Sequence, residues 1–274
     1  METAEKAYLS IDGIRLEYRW FGQREAGQPV LVLLHEGLGC VDMWRKFPQR
    51  LAQQTGLAVF VYSRQGYGGS EPFQRPLDVD FMHREGLDIL PRVLDEAGIQ
   101  QAILVGHSDG ASIALIYAGA RSDKRISGLV LLAPHLFVEP ETLHGIRQAR
   151  QAFDHGNLAE GLRRYHGDHT ESTFRYWSGI WLNPEFSAWN IEANLTGINV
   201  PLLAIMGEDD QYGTLAQIHT LARLLPERTK LAVLRDCGHS PHLEQGSKTL
   251  DQVTAFVSTL PGQTDRIRPD PESH

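Results

Sequence analysis

The chain has 274 residues, 42% of them hydrophobic and 22% charged, with a formal net charge of -8. That length and composition suit a globular protein with a sizeable core, and the acidic balance gives no electrostatic footing for nucleic acid or an anionic membrane. The opening "METAEKAYLS" has no basic segment leading into an apolar run, and no apolar run approaches a membrane span, so a cytoplasmic protein without signal peptide is expected. Cys40 and Cys237 are the only cysteines and lie far apart, which favours reduced thiols over a disulfide.

In chain order, "YLSIDGIRLEYRW" alternates on either side of Asp12-Gly13 and predicts a hairpin with a tight two-residue turn. Six almost wholly apolar runs follow: "PVLVLLH", "LAVFVYS", "AILVGH", "ISGLVLLA", "VPLLAIMG" and "KLAVLRD". Runs without polar alternation are buried on both faces, as parallel strands are when helices cover them. Helical patterns such as "DILPRVLDEAG" and "SIALIYAGARS" fall between the runs, which predicts an α/β fold with a mostly parallel central sheet flanked by helices. The alternation stops after Pro134. Residues 135–199 are aromatic-rich and helical in pattern, and predict an inserted helical cap between core segments 1–134 and 200–260. The last residues, 261–274, are rich in proline and charge and predict a disordered tail.

One motif carries the chemistry. Gly106-His107-Ser108-Asp109-Gly110 sits where "AILVGH" gives way to a helical pattern, which puts Ser108 on a strand-to-helix turn. The glycines allow that strained turn, and the helix N-terminus favours developing negative charge. A serine hydroxyl is a weak nucleophile that needs a base, and the base needs an orienting acid. Both occur later in the chain. "LLAIMGEDDQYGT" ends a strand in a turn with two aspartates, and "LRDCGHSPHLEQ" ends the next in a glycine-histidine pair.

With "LLHEGLG", "SRQGYGGS", "GHSDG", "GEDD" and "GHSPHLEQ" together, the chain resembles the α/β-hydrolase superfamily up to about residue 260. The branch it is most similar to is that of serine esterases and C–C hydrolases with a helical cap. The resemblance implies Ser108 as nucleophile and His239 as general base and later acid, with His242 as rival. Asp210 is the implied acid, as the fourth residue of Gly-x-x-Asp, with Asp209 as rival. The implied oxyanion hole takes the backbone N–H of Asp109 and of Gly37, or of Leu38 in its place. His35 is expected to be buried and to shape that loop, and the glycines of "RQGYGGS" to fold a turn behind the site. Relatives that are dehalogenases or epoxide hydrolases carry aspartate at the nucleophile position, where this chain has serine; the Asp109 side chain is read as an acid near a helix N-terminus.

Glu36 departs from the family pattern, which usually reads His-Gly. It is expected either to turn away and pair with a base or backbone donors, or to contact a polar group of the substrate; the first is preferred because the loop must still aim its amides inward. Glu36, Leu38, Trp177 and Trp181 are the candidate pocket residues. His166, Asp168 and His169 are read as a solvated loop and not a metal site, and Arg147, Arg150, Arg163 and Arg164 as solvent-facing. The resemblance implies hydrolysis of an ester or thioester of a small, partly apolar carboxylic acid, without cofactor or metal. The expected partner is a small-molecule substrate, and a homodimer stays open as the assembly. The rivals are C–C bond cleavage of a diketone-like ring-fission product, a triad-bearing ligand-binding module, and cofactor-free oxygenase or perhydrolase chemistry.

Overall fold

The structure is a computed structural model that describes residues 5–121 and 123–261. The expectation of a disordered tail therefore falls almost wholly outside the described residues. Strands β1 (Ala7–Ile11) and β2 (Ile14–Phe21) form the predicted hairpin, with Ile11 opposite Ile14. Asp12 (φ 51°) and Gly13 (φ 83°) both sit in the left-handed region, as a turn matching the twist of two antiparallel strands requires.

The six apolar runs become β3 (Val30–Leu34), β4 (Val59–Tyr62), β5 (Ala102–His107), β6 (Ile126–Leu132), β7 (Leu202–Gly207) and β8 (Thr229–Leu234). Together with the hairpin they form one sheet in the order β1-β2-β4-β3-β5-β6-β7-β8, parallel from β4 to β8. Alternate residues of a strand point to opposite faces, so the unbroken apolar runs feed two cores. Val30, Val32, Leu34 and Leu104 enter one core, while Leu31, Leu33, Ile103 and Val105 enter the other.

Helices cover both faces. Helices α1 (Phe47–Thr55) and α10 (Gly246–Ser258) bury Leu51, Leu250, Val253 and Phe256 in the second core. On the other face lie α2 (Phe81–Arg84), α3 (Leu90–Glu96), α4 (Asp109–Ala120) and α8 (Ala216–Leu224). A π-helical stretch, Glu85–Ile89, joins α2 to α3. Pro91 has no N–H to offer Leu87 O, which accepts instead from Arg121 Nη2 at 2.7 Å. The short helix α9 (Pro241–Glu244) follows β8. Both cysteines are buried as free thiols. No helix among the described residues is long and apolar enough to cross a membrane.

Between β6 and β7 the chain runs through α5 (Pro140–His155), α6 (Leu158–His166) and α7 (Thr170–Trp181), then two short 3-10 segments. Its aromatic residues pack with one another and with the first core. Phe153 stacks on Phe174 at 3.9 Å, and Trp181, Phe186 and Trp189 form a second group. His166 is not in the solvated loop expected from its neighbours; it is 1% exposed. Its Nδ1 accepts from Gly68 N at 3.0 Å and its Nε2 donates to Leu38 O at 2.9 Å, which pins α6 to two core loops. Thr173 Oγ1 adds a bond to Gly66 O at 2.6 Å.

Candidate active site

In the sheet, β4 lies on one side of β3 and β5 on the other, so the connections leaving β3 and β5 diverge and open a crevice at their carboxyl ends. Ser108 stands there. Its backbone lies at φ 52°, ψ -118°, a conformation that costs a side-chain-bearing residue ~1–3 kcal/mol and is held by its surroundings. Both flanking positions must be glycine because of close approach. A methyl at Gly106 would come 2.5 Å from Ala111 N, and one at Gly110 would collide with the Leu34 carbonyl oxygen.

Three strand ends supply one hydrogen-bonded chain. His239, beyond β8, places Nε2 2.9 Å from Ser108 Oγ. Its Nδ1 lies 2.8 and 2.9 Å from the two oxygens of Asp210, beyond β7. With Nδ1–H donated to the carboxylate, Nε2 is left as the acceptor for the serine hydroxyl. Burial alone would raise the Asp210 carboxyl. The charge and hydrogen bond of His239, with the N–H of Tyr212, outweigh burial and hold it below its ordinary value. Asp209 is exposed, so the geometry brings Asp210 and not its neighbour to the histidine. His242 packs instead against Trp44, with ring centroids 4.7 Å apart. The Tyr212 ring stands edge-on to His239 with centroids 4.8 Å apart, and the His135 ring centroid lies 5.7 Å away.

The loop after β3 is fixed by a buried arginine. Arg64 is 2% exposed and donates to the carbonyls of His35 (2.6 Å) and Glu36 (3.0 Å). His35 is fully buried, donates Nδ1–H to Glu36 O and accepts from Arg64 N through Nε2. Burial and the guanidinium beside it keep that ring neutral. The Glu36 carboxylate folds over Gly39, where a methyl would collide with it, and its Oε2 lies 3.3 Å from His107 Nδ1. The other nitrogen of His107 is 2.8 Å from the carbonyl oxygen of His239. Both ring nitrogens therefore face acceptors, and only the imidazolium, with two N–H groups, satisfies both. Burial opposes that charge, but Glu36 overcomes it and raises His107.

Gly37 faces the insert. A methyl there would collide with Trp177 Nε1 and come 2.9 Å from Asp109 Oδ2. Leu38 is half-buried, and its carbonyl receives the His166 bond. Trp181 is 2% exposed and stands edge-on to His135, which in turn stands beside His239. Burial pushes the Asp109 carboxyl up to about 6, with Glu36 adding to the rise and Arg64 opposing it. Thus Gly37, Trp177 and Trp181 gather around Asp109, the residue after Ser108, while the Glu36 side chain is engaged with His107. Sequence reasoning missed His107, Arg64, His135 and Tyr212. The signal for the first was an acid directly after His35 and a base directly before Ser108.

Comparison with known proteins agrees with this arrangement of elements. The sequence model of the alpha/beta hydrolase family matches residues 31–252. A 2-hydroxymuconate semialdehyde hydrolase from Pseudomonas sp. (strain CF600) is 28% identical over 256 residues, covering 85% of this chain and 88% of its own. Epoxide hydrolase 3 of Siraitia grosvenorii is 29% identical over 155 residues, 56% of this chain, which spans 46% of that protein. Among solved structures, the enol-lactonase from Burkholderia xenovorans LB400 superposes with a TM-score of 0.72 at 23% identity, over 92% of this chain and 100% of that one. The chain belongs to the alpha/beta hydrolase family and is a hydrolase.

Proposed function

We propose that this hydrolase cleaves an ester or thioester of a small, partly apolar carboxylic acid through an acyl-enzyme on Ser108. The observation that carries the reading is the unbroken chain Ser108 Oγ–His239–Asp210 at 2.9 and 2.8 Å. Ser108 Oγ attacks the carbonyl carbon while His239 Nε2 takes its proton. Asp210 holds the imidazole in the required tautomer and stabilises the imidazolium. The N–H groups of Gly37 and Asp109 receive the oxyanion, each contributing ~10²–10³ in rate. His239 then protonates the leaving group, and a water deprotonated by His239 releases the acid. Residues 135–199 act as a cap whose Trp177 and Trp181 favour apolar substrate parts and exclude water. The same reading takes the protein as cytoplasmic.

A panel of 4-nitrophenyl esters from acetate to octanoate tests this. Burst kinetics with KM falling as the acyl chain lengthens, up to a limit, is the expected result. Absence of turnover on every ester and thioester would refute it. The relative matched over most of both chains, named for 2-hydroxymuconate semialdehyde, favours one second reading: C–C bond cleavage of a diketone-like compound on the same residues. A kcat/KM for a vinylogous diketone well above that for every ester would select it.

A further inference from the structure

Next to the nucleophile lie polar atoms that the hydrolytic steps leave unused. Asp109 lends its main-chain N–H to the oxyanion, but its side chain is 1% exposed and Oδ2 has no hydrogen-bond partner among the described residues. A buried carboxyl oxygen is costly to leave unpaired. The same atom borders Gly37, and Trp177 Nε1 reaches that glycine from the insert. The Trp181 indole N–H faces the Asp109 carboxyl closely enough to draw its pKa down, yet is itself buried without a partner in hydrogen-bond geometry among the described residues. One acceptor and two donors thus converge beside Gly37 and the residue that follows the nucleophile.

The chemistry of those atoms selects the group that would meet them. An ammonium group has no lone pair for the indole N–H groups, and it would stand near the Arg64 guanidinium that acts on Asp109. A carboxylate or ketone has no proton to give Oδ2. An alkyl group leaves Asp109 Oδ2 and the Trp181 N–H unpaired. A hydroxyl accepts from an indole and donates to the carboxylate at once. Its place on the substrate follows from the neighbours. Oδ2 lies on the side of Gly37, whose amide takes the carbonyl oxygen, whereas the leaving group must lie at His239 Nε2.

We propose that Asp109, with Trp181 and Trp177, binds a hydroxyl on the acyl part of the substrate, one or two carbons from the scissile carbonyl, so that the preferred substrates are esters or thioesters of 2- or 3-hydroxy acids. This rests on the serine-hydrolase reading above and narrows it. The test measures kcat/KM by pH-stat for ethyl butanoate, ethyl 2-hydroxybutanoate, ethyl 3-hydroxybutanoate and ethyl 2-oxobutanoate, each divided by its rate of alkaline hydrolysis. One hydroxy ester should exceed the unsubstituted ester ~100-fold, because a site built around a hydroxyl discriminates strongly against its absence. That ratio should fall toward one in Asp109→Ala and, separately, in Trp181→Phe, which keeps an aromatic ring and removes only the N–H. A ratio near one in the native protein, a ratio unchanged in the variants, or preference for the oxo ester would overturn the proposal. Labelling by a fluorophosphonate separates the two failures. A chain that labels and cleaves ethyl butanoate without hydroxyl preference refutes the hydroxyl site alone. A chain that neither labels nor cleaves any ester refutes the serine-hydrolase reading and the hydroxyl site with it.

Discussion

Replacing Glu36 by glutamine isolates the charge behind the nucleophile. His107 Nδ1 lies 3.3 Å from Glu36 Oε2, and its Nε2 lies 2.8 Å from the His239 carbonyl oxygen. Glutamine preserves the shape and offers an amide oxygen, but it leaves a fully buried imidazolium without a counter-charge. Breaking a buried pair from one side costs ~3–5 kcal/mol. The Glu36 side chain is 20% exposed, which lowers the expected loss to ~2–3 kcal/mol and the melting temperature by ~5–10 °C. The pH dependence has two limbs. Burial pushes the Glu36 carboxyl up, but His107 outweighs it and brings it well below its ordinary value. Its contribution is therefore present above pH ~4.3 and is lost as pH falls through the lowered value. His107 is raised, so its contribution is full below pH ~6.5 and is lost as pH rises through the raised value. The gap between native protein and Glu36→Gln should be widest between those limits and close at alkaline pH. Urea unfolding midpoints from pH 4.5 to 9 measure it. Equal midpoints throughout, with a changed order of substrates, would refute the pairing and put Glu36 in contact with substrate.

Two further substitutions bear on the site and on the insert. Asp210→Asn should lower kcat ~10⁴-fold by turning an amide donor toward His239 Nδ1, whereas the exposed Asp209→Asn should stay within a few-fold of native activity in steady-state assays. His166 is brought down to about 4, first by burial, so the folded state favours its neutral form. Its contribution is full above pH ~6.5 and is lost as pH falls toward the lowered value, ~3 kcal/mol in all. Amide-exchange protection factors of α6, taken relative to the intrinsic exchange rate at each pH, should therefore fall between pH 6.5 and 4 in native protein, and His166→Leu should remove much of that fall while giving lower protection at neutral pH. The same slope in both proteins would contradict a neutral His166 clamp.

Particular residues show what the sequence makes legible. Unalternating runs such as "AILVGH" report burial on both faces, and each of the six became a strand, but "KLAVLRD" became the edge strand β8, which is only partly buried. The order Ser108, acid, His239 is readable because each residue ends a strand. Asp210 is preferred over Asp209 only through the resemblance of Gly-x-x-Asp; neighbours in a turn point apart, and it is the fold that sets Asp210 against His239. The Glu36–His107 pair depends on register: Leu34 aligns with Gly106, which brings the residues just beyond the ends of two parallel strands close together. No local pattern encodes that alignment. His166 did leave a signal, since it follows Leu162 by four residues and both lie on the buried face of α6. The π-helical stretch before α3 is marked only by Pro91, and its form depends on Arg121, thirty residues away, which takes up the carbonyl of Leu87.

The measurement closest to the central claim is the site of covalent capture. Treated with a fluorophosphonate, the chain should gain one adduct, and peptide mass spectrometry should place it on Ser108, with loss of ester turnover in step with labelling. Ser108→Ala should take up no adduct, turn over no ester, and keep its fold by circular dichroism. An adduct on another residue, or ester turnover that survives in Ser108→Ala, would contradict the account.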